Sequence, residues 1–233
     1  MPLSEIISPF PLCSIGVWTI TESVEELRQL LAQKSALYKL PENYTHNKRM
    51  LEWFAVRLIL YEMFEHAMSD EKSAPFRVMG KHSMLSQKYF DITYNENGKP
   101  HLKNPEGHIS ISHTKEIVSV MYHQTNTCGI DIELVKPRIL KVAHKFLRED
   151  EKEFLTEENY LEKLYIIWGA KEVMYKIYSK GDLDFIEYLK VNAFQFTDSG
   201  KVSAQIIKPN ENSNYTIYFL RKQNLLITYA VAE

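Results

Sequence analysis

The chain has only two cysteines, Cys13 and Cys128, in 233 residues. They show neither metal-site spacing nor a disulfide framework, so a stapled secreted domain is excluded and reduced thiols are expected. A basic excess is also missing. The formal net charge of -2 argues against a general nucleic-acid binder, because phosphate backbones select strongly basic surfaces. Local basic sites for a small anion stay open. No lysine or arginine precedes Arg28, so the positive region of a signal peptide is absent. No run approaches the roughly 20 uninterrupted apolar residues of a membrane span. A cytoplasmic location, with no membrane and no nucleic acid as partner, is the expectation. What the chain does have is an ordinary globular composition, 45% hydrophobic and 25% charged, at a length that permits one large domain or two small ones.

Local patterns alternate between two periods. Ile15 to Ile20 reads as a strand and Ser23 to Leu31 as a helix, with Thr21 or Ser23 as its cap and Glu25 and Glu26 in its first turn. Asn47 to Met68 has apolar residues near helical spacing, and Ser69 to Pro75 breaks it. Asn97-Gly98 and Pro100 mark a turn between short strands. Ile109 and Ile111, then Val118, Val120 and Tyr122, suggest two strands around a Ser112-His113-Thr114 turn. Gly129 to Leu134 is a third strand. Helices are expected over Arg138 to Leu155 and Tyr160 to Ser179, and alternating strands fill the remainder through Tyr229. Helices and antiparallel strands thus occur twice over, an α+β pattern. The division is placed at 1–124 and 125–233.

Gly129-Ile130-Asp131-Ile132-Glu133-Leu134 puts two carboxylates on one face of a strand. Adjacent like charges repel, and a hard cation between them relieves that cost. A half-exposed strand with two solvated acids would look the same. In Trp168-Gly169-Ala170-Lys171-Glu172-Val173-Met174-Tyr175-Lys176, the residues Trp168, Glu172 and Lys176 form one helical stripe. That stripe suits either a plain Glu172–Lys176 ion pair or a carboxylate for metal or base duty beside a phosphate-binding lysine. Spacing alone leaves both readings open.

These two runs resemble the paired signatures of the 4′-phosphopantetheinyl transferase superfamily. Asn97-Gly98-Lys99-Pro100 is similar to the family's GKP run, Ile111-Ser112-His113 to its serine-histidine turn, and Glu52-Trp53-Phe54-Ala55-Val56-Arg57 to the helix before it. The matches fall in family order from about Arg49 to Lys176, and the length resembles the long, monomeric, surfactin-type branch. One departure follows Lys176, where Ser179-Lys180-Gly181-Asp182-Leu183 stands in place of the family's Gly-Lys-Gly-Leu.

The resemblance implies two similar α+β halves related by a pseudo-two-fold, with coenzyme A in the cleft between them. It implies magnesium on Asp131, Glu133 and Glu172, and transfer of phosphopantetheine from coenzyme A to a serine of an apo-acyl or peptidyl carrier protein. In that scheme Glu172 is the base, Lys176 stabilises phosphate charge, and Lys171 assists. Ser112 and His113 contact coenzyme A phosphates, and Lys99 and Arg49 the adenosine side, with Arg57 a weaker candidate. Two other readings stay in play: a coenzyme A-binding member without turnover, and a metal-dependent pyrophosphate hydrolase. Arg138, Lys141, Lys145 and Arg148 would share one face of the expected helix after Pro137, a basic face suited to an acidic carrier or simply a solvated one.

Overall fold

The computed structural model describes residues 3–69, 90–104, 106–181, 183–209 and 211–232. From residue 70 onward, the helix break expected at Ser69–Pro75 lies outside them, as does Asp182. The chain is α+β and divides into two units, Met1–Thr127 and Cys128–Glu233.

The first unit is an antiparallel sheet of β1 (Leu3–Ile7), β2 (Cys13–Thr19), β3 (Asp91–Tyr94), β4 (Pro100–Asn104), β5 (Gly107–Thr114) and β6 (Ile117–His123). The strand order is β1-β2-β6-β5-β4-β3. Helix α1 (Val24–Lys34) starts where the capping residues direct it. Ser23 accepts from the Glu26 amide, and the Glu26 carboxylate accepts from the Ser23 amide, a reciprocal capping box. Helix α2 (Asn47–Ser69) is apolar around most of its circumference, and Trp53 through Val56, Leu58 through Tyr61, Met63 and Phe64 are all buried. Such a helix is stable only when covered on several sides. Here it packs on β2, where an added Cβ at Gly16 would lie 2.4 Å from Ile59 Cγ2.

Strand β5 runs straight through Ser112-His113-Thr114, which corrects the turn expected there. The reversal falls instead at Lys115, whose φ of 48° puts it in the left-handed region, followed by Glu116. Because β5 is extended, Ser112 and His113 project to opposite faces of the sheet.

The second unit has strand order β7-β11-β10-β9-β8, all antiparallel, from β7 (Cys128–Leu134), β8 (Leu189–Val191), β9 (Ser199–Lys208), β10 (Glu211–Lys222) and β11 (Leu225–Val231). The long helix here, Tyr160–Tyr178, is preceded by a single turn, α3 (Glu149–Lys152), and is therefore α4. Two glycines let α4 lie close against the sheet. A Cβ at Gly129 would come within 2.8 Å of the Val173 carbonyl, and one at Gly169 within 2.3 Å of Thr228 Oγ1.

The helix expected over Arg138 to Leu155 does not form. Two 3-10 turns, Pro137–Lys141 and Ala143–Lys145, are followed by extended backbone at Arg148, with ψ 159°, before α3 begins. The cause is a buried demand for carbonyl oxygens: the Lys171 ammonium takes those of Phe146 and Phe185. The Phe146 carbonyl is turned inward to that ammonium rather than along a helical ladder. The four cations read as one stripe are therefore separated. Arg138 pairs with Glu133 at 3.0 Å, and Arg148 reaches Asp150 and the Ile186 and Glu187 carbonyls, while Lys141 and Lys145 are exposed.

After α4 the departure from the family pattern takes a definite form. Ser179 is left-handed, φ 52° and ψ 20°, and its amide closes the helix onto the Tyr175 carbonyl; Gly181 is also left-handed at φ 74°. The backbone thus adopts, at a serine, the conformation that glycine adopts without a Cβ clash. Ser179→Gly should accordingly raise stability by about 0.5–1 kcal/mol, read as a higher denaturant midpoint with an unchanged slope.

Candidate active site

In the second unit, alternation along β7 turns Gly129, Asp131 and Glu133 toward α4, and the close approach at the two glycines brings Glu172 to them. Asp131 is buried, and Lys176 crosses from α4 to bind it. The Lys176 ammonium donates to Asp131 Oδ1 at 2.9 Å and to the Ile130 carbonyl at 2.8 Å. Lys176 therefore serves β7 rather than pairing simply with Glu172 along its own helix. Glu133 is held by Arg138. Burial raises the Glu133 carboxyl, with Asp131 adding to the rise and Arg138 and the Trp168 side chain opposing it.

Glu172 is the most perturbed acid. Burial, then the neighbouring Asp131 and Glu133 charges, pushes it up to about 7 against the pull of Lys176. No hydrogen bond or ion pair to its carboxylate is present among the described residues. It is a carboxylate poised to gain or lose a proton near neutrality.

Lys171 stands apart from this group. It is wholly buried, with its ammonium 2.8 Å from the equally buried Glu151 and bonded to the Phe146 and Phe185 carbonyls. Burial lowers it to about 8, opposed by Glu151. The Glu151 carboxylate also accepts from the Arg148 and Val191 amides. Enclosed in this way, Lys171 is engaged within the second unit's interior, apart from the carboxylates it is expected to assist.

Three carboxylates are hard oxygen donors of the kind magnesium takes. Among the described residues no group of three His, Cys, Asp or Glu side chains is disposed to hold a metal ion. The upward shifts of Glu133 and Glu172, each raised in part by the Asp131 charge, nonetheless mark concentrated negative charge that a cation would relieve. By donor type and charge the set fits a hard divalent cation.

The first unit carries a separate cavity of about 550 Å³, lined among others by Arg49, Glu52, Trp53, Arg57, Tyr94 and His113. Arg57 is buried, with its guanidinium 3.6 Å over the Trp53 ring and Nη1 donating to the Trp53 carbonyl. This planar cation on an indole, with Arg49 nearby, suits a ligand with both an aromatic ring and an anion. His113 and Arg49, both anticipated, meet here. Ser112 is buried on the opposite sheet face and does not line the cavity. Lys99 lies beside the lining turn residue Gly98 but does not itself line the cavity, and its charge helps depress His108 after burial has done most of the work. Arg57, the weaker candidate in the sequence, lines this cavity together with Trp53 and Glu52, which the sequence did not mark as site residues. The signal was available: Arg49, Trp53 and Arg57 recur every four residues and so share one face of α2.

No helix among the described residues is long and apolar enough to cross a membrane. Residues 127–230, which include β7 and α4, match the family described as the 4′-phosphopantetheinyl transferase superfamily. A protein named 4′-phosphopantetheinyl transferase gsp, from Aneurinibacillus migulanus, is 31% identical over 127 residues, covering 53% of this chain and 50% of that protein. The match thus spans about half the length of that curated relative. Both the acidic strand and the Trp168–Lys176 helix lie inside this matched segment, so it is the second unit that is similar to the 4′-phosphopantetheinyl transferase superfamily.

Proposed function

We propose that the protein moves phosphopantetheine from coenzyme A to a serine of a carrier protein, with magnesium as cofactor. The observation that carries the reading is Glu172: a carboxyl raised to about 7 beside Asp131, Glu133 and Lys176. A serine hydroxyl needs its proton removed before it attacks, and a base with this affinity is matched to neutral pH. The serine Oγ–P bond forms on the pantetheine side, the P–O bond to 3′,5′-ADP breaks, and the serine proton passes to Glu172. Lys176 offsets charge on the phosphate oxygens. Asp131, Glu133 and Glu172 would hold magnesium, which when bound supplies charge neutralisation of the pyrophosphate. Arg49, Arg57 and His113 would receive the phosphoadenosine end in the first unit's cavity. Lys99 and Ser112 then act less directly than the family resemblance implies.

Incubating the protein with magnesium, coenzyme A and an apo-carrier tests this by mass. The carrier should gain the mass of a phosphopantetheine arm. Unmodified carrier across a panel, with coenzyme A still bound, would support a binding protein; coenzyme A consumed without carrier would indicate a hydrolase.

The carrier's approach can be tested too. The 3-10 segment after β7 exposes Leu140 and Val142, 50% and 39% accessible, alongside Lys141 and Lys145. An acidic, partly apolar helical surface is complementary to it. Lys141→Glu with Lys145→Glu should raise the carrier KM several-fold at low ionic strength and less in high salt. Coenzyme A affinity should not change. Unchanged carrier kinetics would exclude the segment as a docking surface.

A further inference from the structure

In the first unit's cavity one group is out of character. Arg49, Arg57 and His113 favour an anion, yet the wall also contains the carboxylate of Glu52. Its Oε1 is shut off from solvent and receives no hydrogen bond of good geometry among the described residues. Two basic side chains stand near that oxygen, His113 Nδ1 at 3.2 Å and Lys48 Nζ at 3.7 Å. The Lys48 side chain is 64% accessible and that of His113 48%. Left bare, the carboxylate would repel a ligand phosphate. Taken up by the imidazole, it no longer opposes the phosphate and instead dictates which ring nitrogen the ligand meets.

We infer that Glu52 is a positioning residue for His113. It accepts the Nδ1 proton and leaves Nε2 as the atom presented to the cavity. A small rotation of the imidazole aligns the 3.2 Å contact, because the ring is anchored at its Cβ and only partly enclosed. Which nitrogen of a histidine carries the proton is set by the partner of the other one. A carboxylate at Nδ1 therefore selects the Nδ1–H tautomer of the neutral ring, which is the less common form in water. When the ring is protonated, the same contact aims the Nε2–H donor at an incoming phosphate oxygen. The pair also spans α2 and β5, so it fixes the cavity's two walls to each other at the point where a phosphate would sit. Lys48, one turn before Glu52 and more exposed, stays available to solvent and does not define the ring's orientation.

This inference rests on the proposed coenzyme A site for its ligand but not for its geometry, and two measurements keep them separate. Nitrogen-15 NMR of the imidazoles in the ligand-free wild-type protein at pH 8 should show neutral His113 as the Nδ1–H tautomer. The Nε2–H tautomer would overturn the assignment, whatever any variant does. Calorimetric titration with coenzyme A then forms a double-mutant cycle. Glu52→Gln should weaken binding about tenfold in the wild-type background, as expected for losing one charge-assisted contact. In the His113→Ala background it should have almost no effect. Equal loss in both backgrounds would mean that Glu52 acts on the ligand or the fold directly, and the positioning role would fall. A wild-type protein that binds no coenzyme A overturns the function proposed above, while the tautomer still decides the role of Glu52.

Discussion

Lys171→Met should destabilise the second unit by about 3–5 kcal/mol, the usual cost of stranding one member of a buried ion pair. Glu151 would be left with no ammonium beside it, at a position with no solvent access. The Phe146 and Phe185 carbonyls would lose their donor as well. Exchanging both charges for apolar residues can be neutral in other proteins, but here it should not be. Glu151 also satisfies the Arg148 and Val191 amides, so Lys171→Met with Glu151→Leu leaves two backbone donors unpaired. The double variant should remain well below wild type, though above Lys171→Met alone. Urea denaturation followed by far-ultraviolet circular dichroism would show this. Wild-type stability for Lys171→Met would contradict the enclosed geometry and return Lys171 to consideration as a phosphate ligand.

The same pair explains where sequence reasoning held and where it failed. The β7 strand was legible because Ile130, Ile132 and Leu134 alternate with Gly129, Asp131 and Glu133, and a period of two has one structural meaning. Helix α4 and the start of α1, with its cap at Thr21 or Ser23, were legible for similar local reasons, whereas the reciprocal Ser23–Glu26 bonding is seen only in the structure. The segment after Pro137 was not. Its apolar residues have helical spacing, but its backbone is decided by Lys171, which lies far along the chain and draws the Phe146 carbonyl inward. Local periodicity carries no trace of such a tertiary demand. Lys171 itself could have been read better. It lies four residues after Ile167 and three before Met174, both fully buried, so helical geometry already placed it on the core face. Ser112 and His113 show a different limit. The motif names them together, but in an extended strand neighbours diverge, and only His113 reaches the cavity.

Glu172→Gln should abolish most transfer while making the protein more stable at alkaline pH, and the two effects share one cause. The carboxyl is raised from 4.5 to about 7 in the folded protein, first by burial and then by Asp131. A folded state that holds its proton more tightly than the unfolded chain gains stability at low pH. That contribution is complete below the unfolded value and is lost as pH rises through the folded one. Without divalent cation, the wild type should therefore weaken relative to Glu172→Gln between about pH 4.5 and 7. Above pH 8 the variant should be more stable by up to about 3 kcal/mol. Below pH 4 the two proteins should unfold together. The neutral amide preserves the size of the side chain, so the difference reads charge rather than packing. Magnesium should narrow the alkaline gap by stabilising the wild type more than the variant, because the added cation offsets the charge that the substitution removes. In the transfer assay the variant should lose about 10²–10⁴ in rate, the range expected when a general base is removed. Wild-type kcat/KM should rise with pH as the free enzyme's base ionises, at lower pH the more magnesium is present because a cation favours the carboxylate, and that rise should be missing from the variant's residual activity. A stability gap that is the same at pH 4 and pH 8 would show that Glu172 is not raised in the folded state. Near-normal transfer by the variant would remove it as the base.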